Sequence, residues 1–94
     1  MSGGAAITVA GAAEDLDKHA RLVAARQIYR EGEVAEVLVN TPVAPAWALL
    51  TFEGERVLDY RVLRLRKRSQ LLELPMKDLY SPNVFIKLAV LSKR

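Results

Sequence analysis

Apolar and polar residues alternate with a period of two along most of this chain, the pattern of strands with one buried face, and a helical period is nearly absent. Val34–Asn40 alternates, with Ala35, Val37 and Val39 on one face and Glu36 and Asn40 on the other, where Val34 and Leu38 also fall. Val84–Leu91 sets Val84, Ile86, Leu88 and Val90 against Lys87, and Gln70–Leu74 places Leu72 and Leu74 on one side of Glu73. Ala46–Glu53, AWALLTFE, is a nearly continuous apolar run, expected of a strand at the centre of a sheet that packs on a second layer. Ala5–Val9 is a short first strand ending near Gly11, and Ala20–Gln27 a second one. In Arg56–Leu65, Leu58, Tyr60 and Val62 share one parity while Leu63 and Leu65 take the other, so this strand carries a bulge or ends and restarts.

Turn signals separate these runs. Gly32, among charged neighbours, supplies a positive φ for a tight turn. Pro42 and Pro45 stop the strand that ends at Asn40, because each removes a ladder donor. Gly54-Glu55 is short enough for a hairpin, and Pro75 closes the run before it, leaving Met76–Asn83 as an irregular connection. The expected fold is all-β, a seven-stranded antiparallel β-sandwich of the immunoglobulin or fibronectin type III kind, with a small barrel as the alternative. Its expected core is Val37, Val39, Trp47, Leu49, Leu58, Tyr60, Leu72, Leu74, Ile86 and Leu88.

With 94 residues, of which 51% are hydrophobic and 27% charged, the chain has the composition of a globular protein, and its length corresponds to one domain over 1–94, with residues 1–19 supplying a short strand and a loop. No apolar run approaches the roughly 20 residues of a membrane-spanning helix. The first residues, MSGGAAITVAGAAED, lack the basic start of a secretory signal.

The chemistry on offer is sparse. Without cysteine there is no disulfide, zinc thiolate site or thiol nucleophile. The one histidine, His19, sits in the polar stretch AAEDLDKH with neither a triad nor a ligand set around it, and is expected at the surface. Glu53 and Glu55 flank Gly54, where paired carboxylates are solvated rather than poised for acid–base work. The glycines form no phosphate-binding loop. These observations point away from an enzyme, and no cofactor or metal ion is expected.

Charge is uneven: residues 1–47 hold six acids and four bases, net −2, and residues 48–94 hold five acids and ten bases, net +5, which together give +3. Most of that asymmetry lies in RLRKRSQ, where Arg64, Arg66, Lys67 and Arg68 make a basic cluster. As a nucleic-acid or polyanion site it lacks interleaved aromatics, since none of the six aromatic residues falls within 61–79. A solvated bend between two strands is the simpler expectation, with the cluster as an interaction surface for a neighbouring domain and polyanion binding as the alternative. A carbohydrate or adhesion platform built on Trp47 is a third possibility, and it requires an exposed indole.

Taken in order, the segments Tyr29-x-x-Gly32-Glu33-x-Ala35, Leu38-Val39-x-Thr41-Pro42, Ala48-Leu49-Leu50-Thr51-Phe52-Glu53, Val57-Leu58-x-Tyr60 and Ser81-Pro82-Asn83-Val84-Phe85-Ile86 resemble a macroglobulin domain. The similarity is to the module at or just before the bait region of bacterial alpha-2-macroglobulin-like proteins, and it spans about residues 20–91. Tyr29, Gly32, Glu33, Pro42, Glu53, Tyr60, Pro82 and Asn83 match the family pattern as structural positions. Glu31 stands where the family usually has proline, and RLRKRS is more basic than the usual turn. The resemblance implies a non-catalytic module of a large exported protease trap, periplasmic, membrane-anchored or secreted. Many such traps carry a thioester in a separate domain, and this chain has no cysteine to form one. The implied partners are neighbouring domains of the parent protein and, indirectly, its target proteases. Neither nucleic acid nor membrane contact is implied, and the isolated chain is expected to be a monomer.

Overall fold

The computed structural model describes residues 4–14, 20–42 and 44–91. His19 and the polar stretch before it, residues 15–19, lie outside the described residues. Among the described residues, eight strands and one short 3-10 turn follow in the order β1 (Ala6–Glu14), β2 (Arg21–Ala24), β3 (Ile28–Arg30), β4 (Val34–Asn40), β5 (Ala46–Glu53), β6 (Val57–Leu65), β7 (Ser69–Pro75), the turn Asp78–Tyr80, and β8 (Asn83–Val90). They form two sheets, one of five strands in the order β3-β1-β8-β5-β6 and one of three in the order β2-β4-β7. The fold is therefore all-β and two-layered, as the alternation predicts.

Between the layers, Ile7, Val9, Leu50, Phe52, Leu65, Val84, Ile86 and Leu88 of the larger sheet meet Leu22, Val37, Val39 and Leu74 of the smaller one, and all are buried. Each fully buried Leu or Ile contributes on the order of 1.5–3 kcal/mol. Leu58, Leu63 and Leu72 are half-buried and pack against this cluster. Val37, Val39, Leu74, Ile86 and Leu88 of the expected core are fully inside.

Three features depart from the expected seven-stranded, wholly antiparallel sandwich and from its alternation pattern. First, the larger sheet is mixed: β1 runs parallel to β8 from Thr8↔Asn83 to Glu14↔Ala89 and antiparallel to β3. β1 continues past Gly11 because that residue faces the smaller sheet at close quarters. A Cβ there would lie 2.6 Å from Leu22 Cδ2 and 2.7 Å from the Ile86 carbonyl oxygen. Second, Ala20–Gln27 with the residues after it is two short strands, one in each sheet. The crossing comes at residues 25–27: Ala25 N–H still donates to Glu36 O at 2.9 Å, whereas Gln27 O accepts from Val9 N–H at 2.8 Å. Leu22 and Tyr29 are both buried, yet they have opposite parity, which is what a strand that changes sheets requires.

Third, the bulge in β6 sits earlier than the parity of its leucines suggests. Glu53 pairs with Val57 and Phe52 with Asp59, so Leu58 is the extra residue. From Asp59 onward the odd residues pair with the buried face of β5, ending in buried Leu65, although the Arg61 side chain is exposed, and Tyr60 and Val62 turn out. Tyr60 is consequently 65% exposed rather than in the core. Trp47, 43% exposed, and half-buried Leu49 are corrected in the same way, because β5 buries Ala46, Ala48, Leu50 and Phe52 instead.

Candidate functional site

The cationic cluster begins inside a strand and ends in a bend. Arg64 belongs to β6, while Arg66, Lys67 and Arg68 form the connection that carries the chain from the edge of the five-stranded sheet to β7 in the other layer. Gln70 shapes this bend: its Oε1 accepts from the backbone N–H of Arg66 at 2.9 Å and of Lys67 at 3.4 Å. The Arg68 carbonyl accepts from Thr41 N–H at 2.7 Å, and Ser69 Oγ donates to Asn40 Oδ1, which ties the bend to the end of β4. The three side chains of the bend are exposed, and neither they nor Arg64 enter the ion pairs found among the described residues, Arg26–Glu33, Lys77–Asp59 and Lys87–Glu53.

Across the β5–β6 ladder Arg64 faces Trp47, and its guanidinium lies over the indole ring with the carbon 5.1 Å from the centroid. Pairing thus supplies the aromatic neighbour that the 61–79 segment lacks. Trp47 opens onto the outer face of the five-stranded sheet. Leu49 pairs there with Val62 and Thr51 with Tyr60, and Phe85 and Lys87 of β8 continue the same surface. With Val62 60% exposed beside Tyr60 and Trp47, this face is apolar where an outward face normally alternates to polar residues. Its polar part is small: Thr51 Oγ1 donates to Glu53 Oε2 at 2.7 Å, and Lys87 Nζ stands 3.9 Å from the same oxygen.

The other positions singled out from the family pattern fall into turns and strand ends. Buried Tyr29 accepts from the Arg26 backbone N–H at 3.0 Å and lies under the Arg26 guanidinium at 4.4 Å. Gly32 has φ 92°, the positive value its turn requires. Glu33 Oε1 accepts from Arg30 N–H at 2.8 Å and from Arg26 Nη2 at 3.2 Å, and these contacts hold its carboxyl below the usual range. Half-buried Pro42 follows β4. The Pro82 carbonyl accepts from Thr8 N–H at 2.8 Å, and Asn83 opens β8 opposite Thr8. Pro82 and Asn83 also line an open groove of about 690 Å³ with Gly54, Leu58 and Leu79. The structure therefore does not bring these eight positions to one place.

One polar cluster has no signal in the sequence pattern. Asp59 Oδ2 accepts from Lys77 Nζ at 2.8 Å and from Tyr80 Oη at 3.0 Å, and Asp59 Oδ1 accepts from Tyr60 N–H at 2.8 Å. The Lys77 hydrogen bond, followed by those of Tyr80 and Tyr60, holds the Asp59 carboxyl below the ordinary carboxylate range. Burial and the Asp59 carboxylate push the Tyr80 phenol up, so it remains a donor. A lowered folded pKa stabilises the fold above the unfolded value, about pH 4, and that stabilisation disappears as pH falls through the folded value. The urea midpoint should accordingly drop as pH falls below about 4. Asp59→Asn should lower the midpoint at neutral pH and make the acid drop shallower, with Glu33 supplying what is left. An unchanged acid slope in Asp59→Asn would show that this carboxylate contributes nothing through its contacts.

Among the described residues, no cluster of three or more His, Cys, Asp or Glu side chains is placed to hold a metal ion. No family model, curated protein or solved structure matches the chain.

Proposed function

We propose that this chain is a non-catalytic structural and interaction module of a larger alpha-2-macroglobulin-like protease inhibitor, docking on neighbouring domains of the same polypeptide near the bait region. In this proposal the two sheets are a macroglobulin domain of the immunoglobulin or fibronectin type III type. Counting residues 20–30 as one strand that changes sheets brings the strand number to seven. The parent is an exported protein, and its target proteases meet this module only through the parent.

The observation that carries the docking role is the outer face of the five-stranded sheet. Trp47, Tyr60, Val62 and Phe85 are exposed on one continuous surface, with Arg64 at one margin and the Glu53–Lys87 pair inside it. Contacts between domains of one chain cover on the order of 600–1,500 Å² and mix polar with apolar groups, which suits such a face. A carbohydrate platform on Trp47 finds the exposed indole it requires, but it is less well supported because the Arg64 guanidinium lies over the ring, where a sugar would stack.

Iodide quenching of Trp47 tests the role. In the isolated chain the indole should be quenched readily, with Arg64 drawing the anion toward it. In a longer segment of the parent protein, with Trp47 as its single tryptophan, quenching should fall several-fold. Equal quenching in both would remove the docking role for this face. One observation favours the polyanion alternative, namely that the Arg64 guanidinium lies over the indole, and Arg64 continues into the 66–68 bend, whose cations, like Arg64, have no acidic partner among the described residues. That alternative requires oligonucleotides to quench Trp47 at low salt, with affinity falling linearly in log salt.

A further inference from the structure

β6 ends the five-stranded sheet, and among the described residues only its β5 side is paired. The phase of the ladder decides which of its backbone groups are left over. Leu91 N–H donates to the Trp47 carbonyl at 2.7 Å, so the odd residues of β5 direct their amides toward β8. The even ones, Ala48, Leu50 and Phe52, therefore direct theirs toward β6, where their partners are Leu63, Arg61 and Asp59. In an antiparallel ladder the N–H and C=O of one residue lie on the same side and the side alternates. Tyr60, Val62 and Arg64 consequently present their backbone groups to the open edge. Side chains close this edge at both ends: Asp59 Oδ1 takes the Tyr60 N–H at 2.8 Å and Gln70 Oε1 takes the Arg66 N–H at 2.9 Å. Between those caps the Val62 and Arg64 amides have no side-chain cover among the described residues.

We propose that the open edge of β6 takes up an extended acidic segment of a partner protein as an added antiparallel strand, hydrogen-bonded at Val62 and Arg64. This names a partner chemistry for the interaction module and rests on that role. The charge requirement follows from Arg61, Arg64 and the 66–68 bend, which have no acidic partner among the described residues. The incoming strand places acidic side chains opposite Arg61, Arg64 and Arg66, and apolar ones opposite Val62 and half-buried Leu63. A second copy of this chain fits poorly. Pairing two β6 strands joins Arg61 and Arg64 of both in one ladder, and the one acid of the strand, Asp59, is already held by Lys77.

The probe is a fluorescein-labelled, end-capped heptapeptide, Glu-Thr-Glu-Val-Val-Glu-Thr, titrated against the full chain by fluorescence anisotropy. In the antiparallel register its second valine lies opposite Val62 and its first opposite Leu63. Saturable binding is expected. Methylating the backbone nitrogen of the second valine should weaken it at least about tenfold, the loss of roughly one hydrogen bond, with no change in charge. Methylating the first valine, whose N–H points away from β6, should have little effect. Val62→Pro should also weaken binding at least about tenfold. The fold tolerates this change because the Val62 N–H is not part of the β5 ladder and proline is compatible with an open edge.

Three outcomes would overturn the proposal. One is no binding up to about 1 mM peptide. Another is affinity that is insensitive to both the second-valine methylation and Val62→Pro, which leaves only charge attraction to the bend. The third is a dimer of the chain that Val62→Pro dissolves. None of these outcomes alters the shielding of Trp47 in the longer parent segment, so edge binding and domain docking can fail independently.

Discussion

Tyr80→Ala is expected to cost about 3–5 kcal/mol, the usual price of deleting a buried aromatic ring. Tyr80 is 1% exposed, and its ring stacks on Phe52 with centroids 4.9 Å apart and planes 2° from parallel. The 3-10 turn Asp78–Tyr80 is too short to hold this position by itself, so the ring is the anchor that fixes the 76–82 connection to the larger sheet. Tyr80→Phe separates the two contributions. It keeps the stack and removes only the hydrogen bond to the partly exposed Asp59, worth about 1 kcal/mol because water can replace the lost donor. Against a total stability of about 5–15 kcal/mol, the alanine variant is close to unfolding and the phenylalanine variant is not. Urea unfolding followed by circular dichroism measures both. Equal losses in the two variants would mean that the ring contributes no packing.

Gly11→Ala is expected to destabilise by about 1–3 kcal/mol, although alanine in place of glycine ordinarily gains about 0.4–1 kcal/mol by restricting the unfolded chain. The reason is geometric. The added Cβ would stand 2.6 Å from Leu22 Cδ2 and 2.7 Å from the Ile86 carbonyl oxygen. A leucine methyl can rotate away, but a backbone oxygen in the strand beside it cannot. Pairing the change with Leu22→Val separates these two contacts: the double variant should lose less than the sum of the single losses, yet remain less stable than Leu22→Val alone. Purely additive losses from thermal or urea midpoints would show that Leu22 is not what crowds this position.

Gly11 also shows where sequence patterns run out. A glycine inside an alternating run weakens the strand signal, and Ala5–Val9 is all that the signal supports. The strand nevertheless continues to Glu14, because β8 pairs with it throughout and needs a residue without a side chain at that crossing. Strands with one face clearly apolar, such as Val34–Asn40 and β8, are legible to within a residue, since polarity alone chooses their inner face. In AWALLTFE polarity also chooses, but weakly. Trp47 and Leu49 have the bulk of core residues, while Thr51 and Glu53 share their parity and point the same way, outward. Large side chains outweigh that cue, and the buried alanines Ala46 and Ala48 are easily overlooked. The same holds for Tyr60, where a bulge at Leu58 reverses the faces after the leucine that set the expectation.

The basic cluster was legible as a bend and a charged surface, but its neighbourhood was not. Trp47 lies 17 positions before Arg64 in the chain, and only the β5–β6 register joins them. The Asp59–Lys77–Tyr80 contacts are likewise made by the 76–82 connection folding back to the Asp59 side chain, which no local spacing announces.

The parallel pairing of β1 with β8 bears on how the chain transmits force. Both strands point the same way, so β1 begins at one end of their shared ladder and β8 finishes at the other. Tension applied before Ala6 and after Val90 therefore slides the two strands along each other, and the bonds from Thr8↔Asn83 to Glu14↔Ala89 are loaded together rather than one after another. An antiparallel pair held at one end would unzip a bond at a time. A module linked in series through these two strands is thus stiff along the line of its connections, and a rearrangement on one side passes to the other as displacement instead of being absorbed as local unfolding.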